Sequence, residues 1–166
     1  MKSNTKRFIS LIVILASVAV DQITKIWALN NLAGREPITL IKGFLGLSYV
    51  ENTGAAFGSF SGKTTALAII TAVIIVLGIA VLFSGKIKSG ILYFSVTAVL
   101  AGGIGNFIDR IYRSYVVDFL EFLFIDFPVF NFADCLVTVG ASLMFIYLIY
   151  DMVIDWKKRK EERSTQ

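Results

Sequence analysis

A carboxylate can take a proton from water, and a protonated carboxyl beside it can return one. This chain carries carboxylates in or beside strongly apolar stretches: Asp21, Asp109, Asp118, Glu121, Asp126 and Asp134. It has no histidine and one cysteine, Cys135. Ser-His and Cys-His catalysis, His-ligated metals and an intrachain disulfide are therefore excluded. Any catalysis has to run on carboxylates, Lys, Tyr, Ser or Thr.

These groups sit in a chain of 166 residues, 56% hydrophobic and 17% charged. Soluble domains average about 45–50% apolar and about 25% charged residues. The length suits one domain, residues 1–166. Four stretches reach the ~20 residues that a helix needs to cross a bilayer: about 8–29, 64–83, 90–108 and 131–150. Lys2, Lys6 and Arg7 followed by Phe8–Val20 resemble a cleavable signal peptide, but the apolar pattern continues past Asp21 through Ile23, Ile26, Trp27 and Leu29. A retained helix explains both halves.

The net charge is +4. The basic residues flank apolar stretches and form no aromatic-interleaved stripe, which argues against nucleic acid. Lys2, Lys6, Arg7, Lys86, Lys88, Lys157, Lys158, Arg159, Lys160 and Arg163 fall on one side of the four spans, against Arg35, Lys42, Lys63, Arg110 and Arg113 on the other. Ten against five predicts cytoplasmic termini, with residues 30–63 and 109–130 facing outward. In the first outer segment Ile38, Leu40, Leu45, Leu47 and Tyr49 recur at near-alternate positions, punctuated by Gly43 and Gly46. That pattern predicts a small sheet on the membrane surface. The second carries Phe119, Phe122, Phe124, Phe127 and Phe130, a density suited to an interfacial segment.

A charge inside a bilayer is expensive, so each needs a partner or a purpose. Asp21 and Lys25 stand four apart, acid before base, the favourable order on a helix face. They neutralise each other, and they could brace a site. Asn52-Thr53-Gly54 precedes the second span, either as a turn or as a substrate-facing loop. On the third span Ala98, Gly102 and Asn106 share one face, and Ala101, Gly105 and Asp109 the next. Small residues at that spacing allow close helix approach. Packing does not explain Asn106, Asp109 and Arg110, which sit where the outer leaflet should end. Asn131 and Asp134 share a face where the fourth span begins. Asp134 there could be a cap alone. A second carboxylate brought beside it would make a dyad that shares a proton. Asp118, Glu121 and Asp126 all qualify; Val116-Val117 suggests a strand leading Asp118 back to the membrane.

Five segments then match one family in order: Asp21-Gln22-Ile23-Thr24-Lys25, Glu51-Asn52-Thr53-Gly54-Ala55-Ala56-Phe57-Gly58, Gly105-Asn106-Phe107-Ile108-Asp109-Arg110, Val116-Val117-Asp118-Phe119 and Phe130-Asn131-Phe132-Ala133-Asp134. The chain resembles lipoprotein signal peptidase, or signal peptidase II, over most of its length. Each segment alone is weak; the five together are specific. Cys135 stands where a small polar residue is expected.

The resemblance implies an all-α membrane protein of four helices with a small extracytoplasmic β element. It implies an aspartic endopeptidase of the bacterial inner membrane, acting near the extracytoplasmic face as a monomer. Its partners would be membrane lipid and diacylglyceryl-modified prolipoproteins, cut before the lipidated cysteine without metal or cofactor. Asp118 and Asp134 would form the catalytic dyad. Asn52, Asn106, Arg110 and Asn131 would hold the substrate. Asp21, Lys25 and Asp109 would brace the site, with Gly54, Gly102 and Gly105 as structural support. One aspartate would activate water, and the other would stabilise the oxyanion and protonate the leaving amine. A proton-coupled four-helix transporter is the alternative, but its carboxylates belong near mid-bilayer. A purely structural subunit would leave Arg110, Asp118, Asn131 and Asp134 unexplained.

Overall fold

A computed structural model describes residues 3–54 and 62–164. Ala55, Ala56, Phe57 and Gly58 of the second motif lie outside them. The order is α1 (Ser3–Asn31), β1 (Ile38–Ile41), β2 (Leu45–Asn52), α2 (Thr64–Phe83), α3 (Gly90–Tyr112), β3 (Val116–Phe122) and α4 (Phe132–Ser164).

Each expected span is a helix, and all four are long and apolar enough to cross a membrane. The second matches residues 64–83; the others run further than expected. Helical hydrogen bonding does not stop where the apolar run stops, and Lys, Arg and Glu, good helix formers, carry α4 on to Ser164. α3 continues past residue 108, which keeps Asp109 and Arg110 helical. It ends where Ser114 takes a left-handed φ of 65°, a common helix stop.

α3 is central and packs against α1, α2 and α4. The faces read from its sequence hold: Ala98, Ala101, Gly102, Gly105, Asn106 and Asp109 are all buried. A methyl on Gly102 would collide with the Ala133 carbonyl and lie 2.8 Å from Val137 Cγ2, so this glycine sets how closely α4 approaches. On the periphery, Ile69, Ile70, Val73, Ile74, Val76 and Leu77 of α2 are each more than half exposed. Apolar surface on that scale is stable against lipid, not water.

The expected sheet is present, antiparallel in the order β1-β2-β3. Its third strand comes from the second outer segment, as Val116-Val117 suggested. The sheet packs on the end of α1 through Ala28, Leu32, Leu47, Val117 and Phe119. Phe119 thus points inward, unlike the interfacial role expected for its segment. Phe122 instead gathers Phe44, Phe124, Phe127 and Phe130 at centroid distances of 4.9–6.0 Å. After β3 the chain folds back: Leu120 and Phe130 exchange backbone hydrogen bonds of 2.7 and 2.9 Å. That clamp holds the start of α4 beside β3.

Candidate active site

Four elements meet at one cavity of about 490 Å³, lined by Asn52 from β2, Asn106 and Arg110 from α3, Asp118 from β3 and Asp134 from α4. The register explains the first contact. Val50 pairs with Asp118, so Asn52 lies diagonally across on the same face. Asn52 Nδ2 donates to Asp118 Oδ2 at 2.8 Å. Asn52 is therefore the last residue of a strand, not a turn residue, although its Oδ1 accepts from the Gly54 amide at 2.9 Å.

Asn131 links the two aspartates. Its Nδ2 donates to Asp118 Oδ1 at 2.6 Å. Its backbone N–H donates to Asp134 Oδ2 at 3.1 Å, and its Oδ1 accepts from the Asp134 N–H at 2.9 Å. Asn106 Nδ2 donates to Asp134 Oδ1 at 2.7 Å, so three of the four carboxyl oxygens of Asp118 and Asp134 meet an amide side chain. Burial pushes the Asp118 carboxyl up to about 7, and the Asp134 charge pushes the same way, against the Asn52 and Asn131 donors and the Lys25 charge. Glu121 pairs with Gly46 on the sheet and Asp126 is exposed in the following loop. Of the three carboxylates left open by the sequence, Asp118 is the one facing Asp134 across this cavity.

Behind the cavity lies a buried ion cluster. Lys25 Nζ sits 2.9 Å from Asp21 Oδ2, 3.2 Å from Asp109 Oδ2 and 2.8 Å from Asn106 Oδ1. Its three protons are thereby matched. Asp109 also pairs with Arg113 at 2.6 Å and accepts from Val117 N at 3.1 Å, one residue before Asp118. Asp21 Oδ1 accepts from Ala133 N at 3.0 Å, one residue before Asp134. Two carboxylates balance two cations, and the cluster pins the two segments that carry Asp118 and Asp134. Gly105 leaves room for it: a methyl there would lie 2.5 Å from Asp21 Oδ2. Arg110 Nη2 donates to the Gly54 carbonyl at 3.0 Å, fixing the chain just after β2.

Two contributors escaped the sequence reading. Gln22 donates to Asp21, to the Gly105 carbonyl and, at 3.4 Å, to Asp109. Arg113 completes the ion cluster, and its signal was available: it follows Asp109 by four, the same acid-before-base spacing as Asp21 and Lys25.

A family model described as signal peptidase (SPase) II matches residues 13–150. The chain belongs to the signal peptidase II family. A lipoprotein signal peptidase of Clostridium tetani is 44% identical, covering 84% of this chain and 91% of that one. One from Lactobacillus johnsonii is 40% identical, covering 89% and 96%. A solved bacterial membrane enzyme superposes with a TM-score of 0.81 at 32% identity, covering 86% of this chain and 88% of its own. With four spanning helices and that neighbour, this member of the signal peptidase II family is a multi-pass membrane protein. A transporter finds no support among these likenesses.

Proposed function

We propose that the chain is an aspartic endopeptidase that removes signal peptides from diacylglyceryl-modified prolipoproteins, cutting before the lipidated cysteine. The observation that carries this reading is the pair Asp118 and Asp134, lining one cavity and tied together by Asn131. Residues 1–166 act as one membrane domain and as a monomer, in the bacterial inner membrane. The ten-to-five distribution of Lys and Arg supports cytoplasmic termini and a site near the extracytoplasmic face.

Asp118 holds the proton at rest. It is 1% exposed, and its carboxyl is pushed up to about 7. Asp134 is only half-buried and sits in the first turn of α4, where a negative charge is favoured. It takes the proton from water as the water attacks the carbonyl before the cysteine. Asp118 then stabilises the oxyanion and passes its proton to the leaving amine. Arg110, Asn52, Asn106 and Asn131 hold the substrate backbone, whose peptide groups need donors and acceptors away from water. Asp21, Lys25, Asp109 and the glycines hold the frame. The chemistry uses carboxyls alone and calls for no metal or cofactor.

The test is cleavage of a diacylated prolipoprotein in detergent by wild type, Asp118→Asn and Asp134→Asn. Wild type should cut before the lipidated cysteine, and both folded variants should lose at least about a thousandfold, since each removes a proton-transfer group. A wild type that never cuts rejects the substrate. A cutting variant rejects the dyad.

A further inference from the structure

The far end of α4 takes no part in this chemistry. The helix has 33 residues, about 50 Å at 1.5 Å per residue, whereas a span needs about 20 residues. The segment from Asp151 to Ser164 therefore projects beyond the hydrocarbon.

Its side chains are sorted by position around the helix. At about 100° per residue, Met152, Trp156, Arg159, Lys160 and Arg163 fall within about 100° of arc. Asp155, Glu162 and Asp151 fall outside that arc, about 40°, 60° and 80° beyond its Arg159 edge, and Glu161 lies on the far side. The structure agrees: those same five residues line a single surface groove. All five are exposed, and Lys160 Nζ stands 5.5 Å from the Trp156 ring centroid.

The order along the groove matters as much as the sorting. Leaving the span, it runs from apolar Met152 through amphipathic Trp156 to three cations. A phospholipid presents the same sequence: acyl chain, interfacial glycerol, phosphate. Tryptophan favours the headgroup level, and cations just beyond it meet the anionic surface. Arginine adds donors that fit phosphate oxygens two at a time. The groove follows directly on the spanning helix, with Met152 and Trp156 nearest the hydrocarbon and the cations further out.

We propose that this groove seats the headgroup of an anionic phospholipid in the leaflet from which α4 emerges. It is a site for a resident lipid, separate from the peptidase cavity at the other end of the helix.

Trp156 reports on its occupancy once Trp27, the other tryptophan, is replaced by Phe. The full chain in nanodiscs would be compared in phosphatidylcholine carrying the same fraction of brominated phosphatidylglycerol or brominated phosphatidylcholine. Quenching should be stronger with the brominated phosphatidylglycerol, and rising salt should weaken the difference. Arg159→Gln/Arg163→Gln should cut that preference by roughly tenfold. The charge-matched Lys157→Gln/Lys158→Gln lies off the groove and should keep it. Equal quenching by the two brominated lipids in the Trp27→Phe chain would overturn the proposal. So would an equal loss in both double variants, because net charge and not the groove would then attract the lipid.

Discussion

Asn131 and Asp134 cap one helix by holding each other: Asn131 Oδ1 accepts from the Asp134 N–H at 2.9 Å, and Asp134 Oδ2 accepts from the Asn131 N–H at 3.1 Å. This is a reciprocal capping box at the start of α4. The sequence left open whether Asp134 was a cap or a catalytic group. It is a cap, and the same geometry turns Asp134 Oδ1 to Asn106 and Asn131 Nδ2 to Asp118. Capping α4 and aligning the proposed dyad are one arrangement.

The two roles of Asn131 separate by substitution. Serine can still accept from the Asp134 N–H but cannot reach Asp118 as an amide does; alanine loses both. Asn131→Ala should lower stability by about 1–2 kcal/mol more than Asn131→Ser, the worth of a cap. Both should lose at least about tenfold in kcat. Thermal melts and turnover on the same preparations measure the split. A serine variant with wild-type turnover would mean that the amide bridge to Asp118 is dispensable.

Asp118 predicts a pH dependence of stability. Its carboxyl is raised from the ordinary 3.8 to about 7 in the folded protein. The fold therefore binds a proton that the unfolded chain releases, and this stabilising linkage is fully present below about 4 and lost as pH rises through about 7. Asp118→Asn, a neutral mimic of the protonated form, should gain stability over wild type as pH rises from 4 to 8. The full shift bounds the gain at about 4 kcal/mol. Melting curves of the pair across that range are the measurement; a constant offset refutes the assignment of the proton to Asp118. Turnover by wild type should fall along the same alkaline limb.

Lys25 predicts a different kind of loss. It is fully buried between Asp21 and Asp109, and Lys25→Ala leaves two carboxylates facing one remaining cation, Arg113. Breaking a buried pair typically costs about 3–5 kcal/mol. Expression and melting temperature should drop sharply, while the molecules that remain folded keep turning over. Purified Lys25→Ala with a normal melting point and no turnover would move Lys25 from the frame into the chemistry.

Much of this was legible in one sequence because a bilayer makes polar residues conspicuous. Asp21, Lys25, Asn106, Asp109, Arg110, Asn131 and Asp134 stood out as unaffordable without partners, and the structure brings them together through one connected set of contacts, Arg110 joining through the Asn106 carbonyl. The spans were legible because lipid selects continuous apolar runs. Helix ends were not, since α3 and α4 continue into polar sequence on backbone hydrogen bonds alone. Nor could periodicity choose Asp118 over Glu121 and Asp126. That choice depends on the Val50–Asp118 register and the Leu120–Phe130 clamp, both contacts between distant residues. Phe119 was misjudged for a related reason: alternation along β3 sends it to the core, whatever its aromatic neighbours do.

The close approach of α3 and α4 gives a controlled pair of substitutions. A methyl on Gly102 would strike the Ala133 carbonyl, which is backbone in the first turn of α4 and cannot step aside without moving Asp134. A methyl on the neighbouring Gly103 would meet only Ile75 Cγ1, at an ordinary 3.8 Å. Both positions are helical, so both alanines gain about 1 kcal/mol of helix propensity. Gly103→Ala should be neutral or stabilising. Gly102→Ala should lose about 1–3 kcal/mol to overpacking and, because the collision falls one residue before Asp134, should lose turnover as well. Melting points and kcat for the two variants decide it. Equal behaviour would mean that the helices part easily, and that the dyad does not depend on how tightly α4 is drawn against α3.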